Sequence, residues 1–339
     1  MRKKNGDGKS RKNLLIRQIF VQEPIDNMKK LLVICGPTAT GKTQLALDLA
    51  YQFGGELISS DSRQVYKDLD ILTGKDIPSG FQWQKSHLTH QHESIGYYGN
   101  GTKIWLTDLV SVDQPFHVSW YTHVAFLVLH HLWDSNVLPI AVGGSGLYLK
   151  AITQSLSQIH IPPNQQLREK FRDAPRQVLQ KELRKIDKEK WESMNQSDRN
   201  NPRRLIRAIE ITHASHQTQV ADSSTMDILW VGLTAPLSFL EQAIEQRVVK
   251  RWQQGVADEV AQLKSDVAIL GYSLIKQYIQ GKLSKEETLR LWMREERQYA
   301  KRQLTWFKKQ PSIHWYDVTQ EGYEKKITQL VDAWYTGGT

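Results

Sequence analysis

The sequence predicts an α/β protein: a parallel sheet built around a phosphate-binding loop, with a helical subdomain inserted into it. Three observations carry this. Strand-like and helix-like patterns alternate along most of the chain. The apolar run Leu31–Cys35 opens directly into Gly36-Pro37-Thr38-Ala39-Thr40-Gly41-Lys42-Thr43. This is a G-x-x-x-x-G-K-T loop in its strand–loop–helix context. From 162 to 224 strand patterns disappear and the sequence becomes charged and helical.

Taken in order, residues 1–27 are polar and basic and are expected to form a disordered tail. Five apolar residues then make a buried strand at 31–35, and 44–52 reads as a helix. A short strand at 57–60 ends at Asp61. Residues 94–98 and 103–106 are expected to pair as a hairpin around Asn100-Gly101. A helix over 118–133 precedes a buried strand at 138–142, which runs into Gly143-Gly144-Ser145-Gly146 and another helix. After the insertion, 229–233 returns to strand. Long amphipathic helices are expected over 237–264 and 285–309, and 313–318 resembles a last edge strand. The domains follow: a core of 28–160 with 227–335, and a helical insertion of 161–226.

Composition narrows the function. The chain has 339 residues, 40% of them hydrophobic, enough for substantial cores. No apolar run approaches the roughly 20 residues of a membrane span. Met1–Ser10 carry charge with no apolar core behind them, so no secretory signal is expected. Cys35 is the sole cysteine, which excludes a disulfide framework and suits a reducing cytoplasm; it reads as a buried strand residue. A net charge of +9 favours polyanionic partners such as nucleic acid.

The chemistry-bearing residues cluster. Gly36 and Gly41 let the loop curl its N–H groups towards an anion, at the start of a helix. Lys42 can reach terminal phosphate oxygens, and the Thr43 hydroxyl suits Mg²⁺. Asp61 lies 19 residues after Lys42, at a strand's carboxyl end where α/β ligands bind. It can act as a base, hold a metal or simply cap a turn. Ser62, Arg63 and Gln64 follow it. The 138–142 strand ends in glycines, not in the acidic residue of a motor ATPase or GTPase, which favours a group transferase over a hydrolase. Gly143, Gly144 and Gly146 suggest close backbone approach, and Ser145 is open to either substrate binding or N-capping. Arg203, Arg204 and Arg207 share a helical face that is either solvated or phosphate-facing. Residues 294–309 hold six basic and two acidic side chains with Tyr299, Trp306 and Phe307 among them. This suits a nucleic-acid-facing helix, although Trp306 and Phe307 read as core. His87, His90 and His92 lack partners at metal-binding spacing.

Together these stretches resemble the tRNA dimethylallyltransferase (tRNA isopentenyltransferase) family. The matching segments are GPTATGKT at 36–43, ISSDSRQVYKDLDILTGK at 58–75, PIAVGGSGLYLKAI at 139–152, NPRRLIRAIEI at 201–211, GVADEV at 255–260, ILGY at 269–272 and RQYAKRQLTWF at 297–307. The resemblance implies a P-loop NTPase-like core with a helical insertion. It implies transfer of a dimethylallyl group from dimethylallyl pyrophosphate to N6 of the adenosine 3′ of the anticodon, with Mg²⁺ as cofactor. Carried over, Gly36, Pro37, Thr38, Ala39, Thr40, Gly41, Lys42 and Thr43 take the pyrophosphate, and Asp61 takes the general-base position. Asp61, Ser62, Arg63, Gln64, Ser145, Arg168, Arg203, Arg204, Leu205, Ile206, Arg207, Gly271 and Tyr272 fall where the family meets the anticodon stem-loop of tRNA. A cytoplasmic monomer with no membrane contact is expected. Ile104-Trp105-Leu106-Thr107-Asp108 stands where the family carries a histidine pair followed by Leu-Ile-Asp, and the flanking 80–103 suggests an extra hairpin. Three rivals are a free-adenylate isopentenyltransferase, a small-molecule kinase and a non-catalytic RNA-binding protein.

Overall fold

The computed structural model describes residues 29–89, 92–114, 116–154, 161, 163–214 and 226–337. The 1–27 tail and His90 lie outside them. The chain divides into two units, 1–153 with 225–339, and 154–224.

In the larger unit, eight strands among the described residues form one sheet. They are β1 (Lys29–Cys35), β2 (Gly55–Ser59), β3 (Gln82–Thr89), β4 (His92–Gly99), β5 (Thr102–Trp105), β6 (Leu138–Gly143), β7 (Met226–Thr234) and β8 (Ile313–Asp317). Their order is β3-β4-β5-β2-β6-β1-β7-β8. The strands from β5 to β8 run parallel, and β3 and β4 are antiparallel additions at one end. β1 is central, with Cys35 level with both Gly143 and Gly232. It reads as an unbroken apolar run because both its faces are buried. Leu31, Val33 and Cys35 face one apolar layer with Ile58, Trp105 and Ala141. Leu32 and Ile34 face the other, with Leu57, Ile104, Ile140, Val142 and the Lys42–Phe53 helix. Burial pushes the Cys35 thiol up to about 12, despite Lys42 nearby, as expected of a packing residue.

The predicted hairpin is present as β4 and β5, with Asn100 (φ 50°) and Gly101 (φ 83°) both left-handed in its turn. β3 pairs with β4 and completes the extra hairpin. β8 closes the opposite edge, parallel to β7. One expectation is corrected. The helix read over 237–264 is two, Leu237–Gln253 and Val256–Ala261, because Gly255 takes φ 92° between them. That break lets the second helix aim Glu259 at the Asp70–Thr73 turn. There its carboxylate accepts N–H groups of Ile71 and Leu72 at 2.8 and 2.7 Å. Periodicity continued across Gly255 and hid the break.

The smaller unit is helical as expected. Its Arg176–Ile186 and Pro202–Ala214 helices share a core of Phe171, Leu179, Leu183, Leu205, Ala208 and Ile209.

Candidate active site

β1, β6 and β2 are neighbours, so the segments that leave their carboxyl ends meet. After β1 comes the phosphate loop, after β6 the Gly143-Gly144 turn, and after β2 Asp61. All three line one cavity of about 700 Å³. Segment 70–78 and the Leu237–Gln253 and Lys285–Phe307 helices complete its wall.

The strand ends touch so closely that side chains are excluded. A Cβ on Gly36 would stand 2.3 Å from the Leu233 carbonyl oxygen, at φ 138°. A Cβ on Gly143 would stand 2.2 Å from the Ser60 carbonyl oxygen. Beside it the Ser60 N–H donates to the Val142 carbonyl at 2.8 Å, setting the residue before Asp61 against β6. Gly143→Ala must therefore push the Asp61 segment off β6. It is expected to cost about 1–3 kcal/mol of stability, measured by denaturant unfolding.

Within the loop, Lys42 Nζ donates to the Pro37 carbonyl at 2.6 Å, and the Thr40 hydroxyl donates to the same oxygen at 2.9 Å. Desolvation first, then repulsion from Arg247, lowers the Lys42 amine to about 8. Arg247 donates to the Thr38 hydroxyl and, at 2.9 Å, to the Gly74 carbonyl; it also pairs with Asp76 at 3.4 Å. Lys42 and Arg247 thus bring two cations to one loop. Arg251, one turn further, is buried and paired with Glu296 at 3.2 Å. Burial and Arg247 bring it down to about 10.

Gln303 ties two of the three strand ends together. Its Oε1 accepts the Thr38 N–H at 2.9 Å, and its Nε2 donates to the Gly144 carbonyl at 3.0 Å. The Asp61 turn is held separately. Asp61 Oδ1 accepts the Arg63 N–H at 2.9 Å, and the Ser62 N–H donates to Ser145 Oγ at 3.0 Å. The Ser145 hydroxyl thus braces that turn. Ser59 donates to Gln64 Oε1 at 3.2 Å, and Gln64 in turn donates to the Gly74 carbonyl at 3.3 Å. The Arg63 guanidinium lies 3.9 Å over the Tyr299 ring. Burial, then the Asp61 charge, pushes the Tyr299 phenol up to about 12.

An acidic residue does follow one apolar strand. Asp108, just past β5, is buried with φ 56°. Its carboxylate accepts from Lys75 and from the Tyr97 hydroxyl. Lys75 also donates to the Tyr66 carbonyl at 2.7 Å and to Asp70 at 2.6 Å. The Asp108 carboxylate is therefore committed to Lys75 and Tyr97. Among the described residues no cluster of three or more His, Cys, Asp or Glu side chains could hold a metal ion. Thr43 lines the cavity at the loop.

The residues expected to meet tRNA separate into groups. Asp61, Arg63 and Gln64 line the cavity. Gly271 (φ 83°) donates its N–H to Glu295 at 3.0 Å, and a Cβ there would meet the Trp292 ring at 2.5 Å. Tyr272 is buried, with its hydroxyl donating to Asp266 at 2.8 Å. In the helical unit Leu205 is fully buried and Ile206 partly so. Arg168 and Arg207 both grip the buried Glu210, at 2.6 and 3.1 Å. Burial opposes ionisation of Glu210, but these two partners hold its carboxyl below the usual range. Arg204 pairs with Asp198. Arg203 is exposed and makes no ion pair among the described residues. Sequence reasoning missed Arg247, Arg251 and Gln303. Each sits in an amphipathic helix whose pattern also contains exposed Arg and Gln, so nothing local distinguishes them.

The family model for IPP transferase matches residues 64–310, and that for isopentenyl transferase matches 29–92. A tRNA dimethylallyltransferase of Gloeothece citriformis is 33% identical over 312 residues, covering 89% of this chain and 95% of its own. One from Pediococcus pentosaceus is 32% identical, covering 91% and 97%. The solved tRNA isopentenylpyrophosphate transferase of Bacillus halodurans aligns with a TM-score of 0.63 at 28% identity, over 91% of this chain and 98% of its own. A eukaryotic dimethylallyltransferase acting on tRNA shares the fold, with a TM-score of 0.69 at 22% identity.

Proposed function

The chain belongs to the IPP transferase family, and from that premise we propose that it is a tRNA dimethylallyltransferase. It moves a dimethylallyl group from dimethylallyl pyrophosphate to the exocyclic N6 of the adenosine 3′ of the anticodon. One observation carries the assignment of roles: the phosphate loop and the Asp61 carboxylate line the same cavity, from the ends of strands separated only by β6.

The donor's pyrophosphate lies in loop 36–43, against loop N–H groups, Lys42 and Arg247. As the allylic C1–O bond breaks, charge builds on the leaving oxygens, and these groups are already in place to receive it. N6 attacks C1, and its proton becomes acidic only as the new C–N bond forms. The Asp61 carboxylate accepts that proton. Adenine must leave its stack to reach it, at a cost of a few kcal/mol. A single-stranded loop makes this cheaper than a duplex would.

Mg²⁺ suits this donor set. It needs few protein ligands when a pyrophosphate and water supply the rest, and the Thr43 hydroxyl is the group that would hold it. When bound, it supplies further neutralisation of the leaving pyrophosphate.

The core of 28–160 with 227–335 does the chemistry, and the helical insertion of 161–226 grips RNA. The protein acts as a monomer in the cytoplasm. Among the described residues no helix is long and apolar enough to cross a membrane. Of the insertion arginines expected to meet tRNA, Arg203 is the exposed one that makes no ion pair among the described residues. Arg203→Ala is expected to weaken tRNA binding and to reduce the slope of log K against log salt by about one. Filter binding across a salt series checks this; an unchanged slope removes Arg203 from the interface.

The function is tested by offering labelled dimethylallyl pyrophosphate with an anticodon stem-loop or with AMP. Label is expected in the stem-loop only. Transfer to AMP alone would make it a free-nucleotide enzyme. Phosphoryl transfer from ATP with no prenyl transfer would make it a kinase.

A further inference from the structure

Two arginines of the helical unit converge on one indole. The Arg184 and Arg199 guanidiniums lie over the Trp191 ring, 4.2 and 4.7 Å from its centre. The two charges are therefore no further apart than about 9 Å, roughly one Debye length, and they repel. Cation–π attraction explains why each sits on the ring. It does not explain why two like charges share it.

No carboxylate of the protein answers them: among the described residues neither arginine makes an ion pair. The acids that flank them in the chain are engaged elsewhere. Asp198 pairs with Arg204, and Glu192 with Lys188 at 3.9 Å. Asp187 caps the Lys188–Ser193 helix through the Lys190 N–H at 2.8 Å and accepts the Thr212 hydroxyl at 3.1 Å.

The arrangement is also fixed in place. Arg199 donates through Nε to the Trp191 carbonyl at 3.1 Å and through Nη2 to the Glu192 carbonyl at 3.0 Å. Its own carbonyl accepts from Gln180 Nε2 at 2.7 Å, which ties it to the Arg176–Ile186 helix one turn before Arg184. Trp191 packs against the core of the unit. Arg184 is exposed and makes no hydrogen bond among the described residues.

A guanidinium fork matches phosphate oxygens, and one already held against a ring loses less freedom on binding. Two forks this close can grip one phosphate or two successive phosphates of a strand. We propose that Arg184 and Arg199, presented by Trp191, form a clamp for the phosphate backbone of tRNA. Such a contact positions the RNA and reads no bases. The proposal rests on the transferase reading and deepens it, adding a contact apart from Arg168 and the 201–211 segment.

Arg184→Gln tests it, because this exposed side chain has no protein hydrogen bond to lose. Filter binding of the whole protein to unmodified tRNA across a salt series should show weaker binding, with the slope of log K against log salt reduced by about one. The double variant Arg184→Gln, Arg199→Gln should lose about two. Lys185→Gln is the control: it is exposed and next in the chain, but about 100° further round the helix. Its slope should match the wild type. An unchanged slope in Arg184→Gln overturns the clamp. So does an equal fall in Lys185→Gln, which would make the effect one of diffuse charge, and so does a double variant that loses only one. Prenyl transfer by the wild type is scored in parallel. Its absence would sink the transferase reading, whereas an unchanged slope with transfer intact sinks the clamp alone.

Discussion

Asp61→Asn is expected to slow prenyl transfer by about 10²–10⁴ while leaving tRNA affinity largely intact. The substitution is chosen for what it preserves. Asp61 Oδ1 accepts the Arg63 N–H at 2.9 Å, and an asparagine carbonyl oxygen can accept the same bond. The turn, the Ser62–Ser145 bond beside it and the Arg63–Tyr299 stack therefore survive. What is lost is the carboxylate proposed to take a proton from N6 as the C–N bond forms. Affinity for tRNA comes mainly from phosphate contacts, which this change does not touch. Single-turnover transfer and filter binding on the same preparation separate the two. Parallel loss of rate and affinity would make Asp61 a structural residue.

The second large effect concerns the leaving group. Lys42→Ala removes a cation from the loop proposed to receive the pyrophosphate, and a loss of about 10²–10³ in kcat/KM for the donor is expected. The residual activity reflects Arg247 and the loop N–H groups, which stay in place. The pH dependence gives an independent signature. The Lys42 amine, pushed down to about 8, is charged below that pH in the free enzyme and neutral above it. Donor kcat/KM should thus fall as pH rises through about 8. In Lys42→Arg that alkaline limb should disappear, because a guanidinium keeps its charge there. A limb unchanged in the arginine variant would assign the titration to another group.

Much of the site could be read from the chain because its chemistry is local. The phosphate loop needs two glycines, a lysine and a threonine in sequence, and the apolar strand before it announces the context. The glycines at 143, 144 and 146 announced close packing, and the structure places the Ser60 backbone, Gln303 and Trp306 against them. Trp306 and Phe307 were legible as core from helical spacing, and Phe307 is fully buried. The helical break at Gly255 was not legible, since apolar periodicity runs through it. Nor were the arginine roles. Arg168 and Arg207 carry the same charge as Arg203, but they spend it on Glu210, which lies inside the helical unit.

The sequence by itself determined the phosphate loop, the acid beyond β2, the two-sided burial of β1 and the family to which these belong. Each depends on residues adjacent in the chain or on a simple period. Tertiary structure alone decided that Arg247 and Gln303 bond to the loop, that Lys75 pairs with Asp108, and that Glu210 takes both Arg168 and Arg207. Those outcomes depend on which strand ends and helix faces meet across tens to hundreds of residues. A side chain's role there is set by the partner it finds, which no local pattern encodes.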